Sequence, residues 1–448
     1  MKTKIIATYG PGIEQKSVLS KLMKHVDIFR INFSHGNEGK WLDAVENITR
    51  VSKSLGKEVS LLADLPGPKI RLGVLKSDIN VKKGDIVTFR YGKSQKGVVP
   101  LDHDISPYLL DGSIISIGDG YLNFSVSKLK NGNIMCTALN AGQLSSRKGI
   151  NIKKGNVTAA PPTPEDIRLA KFAKENCFDF IGLSFVRSAK NIADARRRMG
   201  DAFMVAKIER AEAVRRIDEI ANEADAIMVA RGDLAFEIPV EMLPIIQAKI
   251  IRSSMKFYKP VIVATQMLAS MVSSPMPTRA EVNDIATAVL GGADCVMLSE
   301  ETAIGKYPVE AVRTLATTAR NAEEIAIHHQ SFKIGMISDS IAFAAAEIAD
   351  NYKTDCIFAP TQTGSTARKL SALRSKSNII ALSRFPKVRR RLNIYYGVHS
   401  EAITRYDTVD GMLNQVKAIA NKKGIKRYIV VSGSPNHAGS TNTLEYIE

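Results

Sequence analysis

The stretch "FMVAKIER" (203–210) sets an ammonium, Lys207, and a carboxylate, Glu209, in an otherwise apolar run. Side chains two apart on a strand share a face, so both leave a segment suited to a core in the same direction. A second carboxylate, Asp233 in "ARGDL", ends the next apolar run. Glu209 and Asp233 offer hard oxygen donors with positions left for water and substrate, which suits magnesium or manganese. Arg30, Arg71 and Lys207 bring three cations to the same rim, as phosphoryl chemistry needs, because the charge on the transferred group must be neutralised. The amides of Gly232 and Asp233 open a short predicted helix, a seat for a carboxylate. Thr265 puts a hydroxyl at a strand end, where it could relay a proton. Read one at a time, these groups also fit loop caps or ion pairs, Glu209 and Asp233 with Arg210 or Arg231. His35, in "NFSHG", reads more simply as a hydrogen-bonded turn residue than as a base.

The elements that must position these residues are short β-branched runs between helical patterns: "KIIAT" (4–8), "IFRIN" (28–32), "VSLLAD" (59–64), "FIGLSF" (180–185), "FMVAKIE" (203–209), "AIMVA" (226–230), "VIVAT" (261–265) and "CVMLS" (295–299). Continuous apolar runs indicate parallel strands covered on both faces, and "EDIRLAKFAKENC", "EAVRRIDEIANEA" and "RAEVNDIATAVLGG" are amphipathic helices between them. Eight such units predict an α/β fold, a (β/α)8 TIM barrel whose site lies where the strands end. Six of the eight deliver polar groups to that one rim, which surface ion pairing alone would not produce.

Residues 67–152 are too long for a βα connection. Their alternating patterns, broken by Gly, Asp and Asn turns, predict a small antiparallel β-barrel domain inserted at the mouth as a lid. The barrel resumes at 153–334, where Thr163 is expected to cap a helix with Pro164 at its first position and Asp166 in its first turn. Residues 335–448 read as a C-terminal α/β domain of regulatory type, after a first barrel part at 1–66.

With 62 Lys and Arg against 45 acidic residues, the formal charge is +17, a field that favours anionic partners. The runs Arg196–Arg198 and Arg389–Arg391 lack interleaved aromatics for stacking bases, so they read as solvated helix faces rather than nucleic-acid contacts. The four cysteines show no CxxC pair and read as buried thiols. With no apolar run of 18 residues and no leader pattern at the N-terminus, no membrane partner and a cytoplasmic location are expected. There is no Walker sequence, no GxGxxG after the first strand and no ordered Ser/His/Asp set. The residues alone therefore lead to a metal-assisted barrel enzyme acting on a phosphorylated, carboxylated small molecule.

At these residues the sequence resembles the pyruvate kinase family along essentially its whole length. The motifs "KIIATYGPG", "RINFSHG", "ADLPGPKIR", "AKIE", "IMVARGDLAFEIP", "PVIVATQMLASM" and "PTRAEVNDIATAVLGGADCVMLSEETAIGKYPVEAV" stand in that family's order and spacing. The resemblance implies phosphoryl transfer from phosphoenolpyruvate to ADP, then protonation of the enolate to pyruvate. It implies Glu209 and Asp233 for Mg2+ (or Mn2+), Arg30 and Lys207 for the substrate phosphate, and Gly232, Asp233 and Thr265 for the substrate carboxylate. Thr265, with Ser299 through water, is implied as the proton route. Asn32, Ser34, His35, Arg71 and Lys148 are implied as nucleotide contacts, with Asp119 as an acidic partner in the lid. A homotetramer is implied as well.

Departures from the family pattern carry expectations of their own. The monovalent-cation residues are matched by Asn32, Ser34, Asp64 and Leu65, but Lys69 replaces the family's Glu, so an internal ammonium would take the place of potassium. Glu300 replaces a Gly in the turn after the eighth strand. "TQTGSTAR" presents Thr361, Thr363, Gly364, Ser365 and Thr366 before a helix, either a cluster of caps or an anion nest resembling the family's effector-phosphate loop. The facing loop (432–443) lacks the Trp and basic residues that hold a second phosphate, which favours a monophosphate effector or none. Two other readings differ in class: a lyase of the phosphoenolpyruvate-binding barrel type, which would not need Arg71 and Lys148, and a basic nucleic-acid binder.

Overall fold

The computed structural model describes residues 1–448 except 69, 93, 94, 96, 111, 119–121, 131, 154–159, 327–334 and 434–440, and except the side chains at 151 and 153. Eight parallel strands close a barrel: β1 (Lys4–Thr8), β2 (Ile28–Asn32) and β3 (Ser60–Asp64) before the insert, then β13 (Phe180–Leu183), β14 (Met204–Ile208), β15 (Ala226–Ala230), β16 (Val261–Ala264) and β17 (Cys295–Leu298) after it. Although the insert separates them in sequence, β3 and β13 pair directly, Phe180 opposite Leu62 and Gly182 opposite Asp64. Four of the strands, β13, β14, β16 and β17, stop one or two residues short of the C-terminal end of their apolar runs. Glu209, Thr265 and Ser299 therefore sit just past the ladder, in the loops of the rim.

The period of two along the strands sets the layers of the barrel interior. Ile6, Ile28, Leu62 and Val205 lie in its apolar core. Two residues on, the same faces carry Thr8, Arg30, Asp64 and Lys207. A dry floor thus passes into a polar layer within one repeat. Local signals start two of the outer helices, the first of them as expected. Thr163 and Asp166 form a capping box at the helix Pro164–Glu175, and Thr278 and Glu281 form another at Arg279–Leu290, each satisfying orphan amides of a first turn.

The insert carries β4 (Ile70–Arg71), β5 (Ile79–Val81), β6 (Ile86–Tyr91), β7 (Val98–Leu101), β8 (Ile114–Ile117), β9 (Leu122–Lys130), β10 (Asn133–Ala138), β11 (Gly142–Leu144) and β12 (Gly149–Lys153). Seven of these form a sheet in the order β4-β12-β8-β9-β10-β6-β7. The sheet is mixed rather than purely antiparallel, because β6 and β7 pair in parallel. A bridge between Leu72 and Leu101 joins its two edges, with Gly73 N donating to the Pro100 carbonyl at 2.7 Å. Closing the edges in this way leaves fewer unpaired strand groups. The boundaries expected at 152/153 and 334/335 adjoin segments outside the described residues.

The C-terminal unit is a five-stranded sheet in the order β20-β19-β18-β21-β22, with β18 (Cys356–Pro360), β19 (Asn378–Leu382), β20 (Val398–Glu401), β21 (Tyr428–Gly433) and an antiparallel edge, β22 (Thr441–Ile447). Its core is continuous with the barrel interior, and the Cys295 thiol at the barrel floor donates to the Ile394 carbonyl at 3.2 Å. The run Arg389–Arg391 is not a solvated face. Arg389 pairs with Glu58, Arg390 with Asp179 and Arg391 with Asp201, all on the barrel side. Arg196 and Arg197 pair locally with Asp225 and Asp194. Cys177, expected to be buried, is exposed, while Cys136, Cys295 and Cys356 are buried. Among the described residues, no helix is long and apolar enough to cross a membrane.

Beneath the barrel, Arg374 grips Asp294 through two hydrogen bonds of 2.9 and 2.8 Å, and both side chains are buried. Removing one partner of a buried pair strands the other charge, so Arg374→Ala is expected to destabilise the protein by about 3–5 kcal/mol. Arg197→Ala, at an exposed pair, should stay within about 1 kcal/mol. Thermal unfolding of the two variants side by side checks the contrast.

Candidate active site

Lys207 is the hub of the rim. Its ammonium lies 2.9 Å from Asp64 Oδ1 and 2.9 Å from Glu209 Oε1, and donates to Ser184 Oγ at 2.8 Å. Ser184 in turn donates to the Leu65 carbonyl at 2.7 Å. Arg30 completes the layer, donating through Nε to Asp64 Oδ2 at 2.7 Å and through Nη1 to Thr8 Oγ1 at 3.0 Å. The charged pair in "AKIE" therefore binds within itself, and Asp64 draws the second cation.

Burial sets the electrostatics. It works against the charge on Lys207, but Asp64 and Glu209 outweigh it and hold the ammonium above its usual range. Burial likewise opposes ionisation of Asp64, yet Lys207 and Arg30 together keep it below the usual carboxylate range. Glu209 goes the other way. Its burial, with the nearby Asp233 charge, outweighs its share of Lys207 and raises it. Glu209 Oε2 also accepts from Phe185 N at 2.7 Å, so its carboxylate is fixed in direction.

That under-compensated carboxylate beside a second one fits a divalent cation. Among the described residues no cluster of three His, Cys, Asp or Glu side chains could supply a fuller set, so the remaining ligands would be substrate and water oxygens, as magnesium accepts. When bound, the ion would supply positive charge to a phosphoryl group; Glu209 and Asp233 are the residues placed to hold it. The alternative pairings fall away: Arg210 pairs with Glu237 at 2.8 Å and Arg231 with Asp284 at 2.6 Å.

Gly232 and Asp233 lie in the first turn of the helix Arg231–Glu237. Gly232 N donates to Thr265 Oγ1 at 2.8 Å, and that hydroxyl donates to the Ala264 carbonyl at 2.6 Å. Ser299 Oγ is buried without a hydrogen-bond partner among the described residues. Its backbone is held by Glu301, whose carboxylate accepts from Ser299 N at 2.7 Å and from Leu268 N at 3.0 Å. Glu300 only begins the short helix Glu300–Ala303 and is exposed.

Around the mouth, Asn32 Oδ1 accepts from Ser34 N at 3.1 Å, and the following turn is supported from below by Trp41, whose indole donates to the His35 carbonyl at 2.8 Å. Arg71, on β4 of the insert, is half-buried, and burial lowers its pKa against the pull of Asp102 and Asp233. Its electrostatic reach to Asp233 links lid and barrel. Lys148 is exposed on the insert. Strand β12 of the insert contacts the helix Arg231–Glu237. At the entry hinge, Gly67 has φ of +63°, and a Cβ there would come within 2.8 Å of Ser184 and 2.9 Å of Phe185. Only glycine fits against the turn that holds Lys207 and Glu209. Lys69 and Asp119 lie outside the described residues.

In the C-terminal domain, Thr361 Oγ1 accepts from Gly364 N at 2.9 Å, Gly364 being left-handed before the helix Ser365–Ala372. Thr366 Oγ1 is shared with Thr441 Oγ1 at 2.8 Å. Thr363 is exposed and Ser365 partly so. Beside this loop a crevice of about 210 Å³ is lined by Thr361, Gln362, Arg384, Arg405, Tyr406 and Asp407. Sequence reasoning missed Ser184, Thr8, Glu301 and the two crevice arginines. Ser184 and Thr8 could have been found, since both lie at the C-terminal ends of apolar runs.

The chain is similar to known proteins over nearly its whole length. Residues 1–312 match the family profile for the pyruvate kinase barrel domain, and 339–447 that for the pyruvate kinase alpha/beta domain. The pyruvate kinase of Thermococcus litoralis is 37% identical over 100% of this chain and 98% of its own length. Those of Mycobacterium tuberculosis and Clostridium perfringens are 35% and 33% identical, covering 98% and 99% of this chain and 97% and 99% of theirs.

Two outcomes are expected at this rim. Ser184→Ala removes the link from Lys207 to the Leu65 carbonyl and should cost about 1–3 kcal/mol in thermal unfolding, with a lower kcat. Because Asp64 is depressed, its stabilisation is present above the usual carboxylate pKa near 4 and is lost as pH falls below it. Melting temperatures from pH 6 to 3 should therefore fall more steeply for the parent protein than for Asp64→Asn.

Proposed function

This chain belongs to the pyruvate kinase family and is a phosphotransferase, and from that premise we propose that it moves the phosphoryl group of phosphoenolpyruvate to ADP on magnesium or manganese, without requiring potassium. The observation that carries the reading is the buried set of Arg30, Lys207 and Asp64 beside Glu209, two fixed cations against a metal-type carboxylate. Arg30 and Lys207 bind the phosphate of phosphoenolpyruvate, and Lys207 stabilises the group in transfer. Gly232, Asp233 and Thr265 receive the carboxylate. Thr265 delivers the proton to C3 of the enolate, with Ser299, whose buried hydroxyl has no hydrogen-bond partner among the described residues, next in the route. Asn32, Ser34, His35, Arg71 and Lys148 bind ADP, and closure of the lid over the mouth excludes water.

Potassium independence has two supports. Lys69 stands where the family carries Glu, and the groups of the monovalent seat already have protein donors: Asp64 from Arg30 and Lys207, Leu65 O from Ser184, and Asn32 Oδ1 from Ser34. A cation entering there would compete with them for the same oxygens and would meet the fixed charges of Arg30 and Lys207. We assign the parts as barrel (1–66 and 153–334), lid (67–152) and C-terminal domain (335–448), in a cytoplasmic homotetramer. Exposed apolar residues such as Ile245, Met276 and Ile304 on the barrel and Ile337 on the C-terminal domain support burial between copies. Thr361, Thr363, Gly364, Ser365 and Thr366 form the phosphate loop of a monophosphate effector. Arg384 and Arg405 in the adjoining crevice supply the basic groups that the facing loop lacks.

Mixing the protein with phosphoenolpyruvate, ADP and magnesium should yield pyruvate and ATP in equal amounts, with no gain on adding potassium. Activity only with potassium removes the role given to Lys69, and pyruvate without ATP turns the assignment to a lyase. Glu209→Gln should lower kcat by about 100- to 1,000-fold with the fold intact.

A further inference from the structure

Two consecutive residues after β16, Thr265 and Gln266, take left-handed backbone angles, φ of +71° and +54°. Neither is glycine, and Thr265 is β-branched, the residue type for which this region is most strained. Such strain persists only where surrounding structure over-determines it, and it concentrates at functional sites. What holds it is visible. Arg231, buried at the end of β15, donates to the Thr265 carbonyl through Nη2 at 2.6 Å and through Nε at 3.2 Å. Its Nη1 is anchored on Asp284 Oδ2 at 2.6 Å, and Nη2 also touches Met267 Sδ at 2.8 Å.

We propose that Arg231 is a positioning residue, whose two-pronged grip on the Thr265 carbonyl holds the strained turn that sets the Thr265 hydroxyl against the Gly232 amide. The chemistry of the side chain explains the choice. A planar guanidinium can reach one carbonyl with two N–H groups while a third is tied elsewhere, and a Lys ammonium cannot reproduce that fork. Arg231 and Gly232 are adjacent, so one segment grips the turn from both sides: side chain to carbonyl, amide to hydroxyl. Glycine at 265 would relieve the strain but delete the hydroxyl. The chain keeps the hydroxyl and offsets the strain from outside.

This inference rests on the proton role proposed for Thr265, and the test separates the two. Arg231→Lys is expected to slow kcat, and uptake of solvent deuterium into the methyl group of pyruvate in the presence of ATP, by about 10- to 100-fold. Gln266→Gly, which adopts positive φ without steric cost, should leave the parent rate unchanged and recover most of the loss when combined with Arg231→Lys. Asp284→Asn, which leaves the buried guanidinium in place, should give a smaller loss in the same direction should Arg231→Lys fold poorly. In a Thr265→Ala background, Arg231→Lys should add little. An unimpaired Arg231→Lys, a loss that Gln266→Gly does not relieve, or losses that multiply with Thr265→Ala would each overturn the positioning role. If Thr265→Ala alone keeps the parental rate, the proton role falls, and rescue by Gln266→Gly still decides whether Arg231 acts through the turn.

Discussion

Four charges packed together at the mouth of the barrel interior govern what the rest of this molecule must do. Arg30 and Lys207 face Asp64 and Glu209 where the protein leaves little room for solvent, and both carboxylates are buried. In such a place an unmatched charge is expensive, so geometry has to be exact to a few tenths of an ångström. The parallel strands supply that exactness. Arg30 leaves from the middle of β2, Asp64 and Lys207 from the last two residues of their strands and Glu209 from the residue just beyond β14. Hydrogen-bonded neighbours such as Ser184 and the Phe185 amide fix direction as well as distance. The imbalance that remains, concentrated on Glu209, is what makes the cluster receptive to a metal ion and an anionic substrate rather than simply stable.

The C-terminal domain serves the same cluster from below. Three successive arginines reach Glu58, Asp179 and Asp201, which precede β3, β13 and β14. Those strands end at Asp64, near Ser184, and at Lys207 and Glu209. Residues at the two ends of one short strand are connected by a rigid ladder, so the domain contact and the charged cluster share three supports. The crevice at Arg384 lies just before the same arginine-bearing helix, Pro386–Leu392.

Much of this was legible in the sequence. Apolar runs located all eight barrel strands because strands covered on both faces have no polar alternation to confuse them. Thr163 and Pro164 marked their helix start because a cap is a local device. Lys207 and Glu209 could be placed on one face by period alone. What escaped were relations between distant segments. That Asp64 would take both Arg30 and Lys207, that Arg231 would choose Asp284 over Asp233, and that Arg389–Arg391 would meet barrel acids all depend on tertiary neighbours. In the C-terminal domain β20 and β22 give weaker signals than the barrel strands, because "VHSE" lacks an apolar run and β22 alternates as an edge strand does. The left-handed turn at Thr265 carried no glycine to announce it, since its conformation is imposed from outside.

The direct pairing of β3 with β13 also bears on how the chain assembles. These neighbours must find each other across the whole insert, and a floppy connection of that length would make the encounter slow and leave open strand edges exposed meanwhile. The insert has its own closed sheet and its own apolar core, and Asp166 accepts from Gly67 N at its entry and Thr163 N at its exit. A folded insert whose ends are held together shortens the effective loop that must close when β3 pairs with β13. The same segment that stands at the mouth thus also lowers the entropy cost of joining the strands on either side of it.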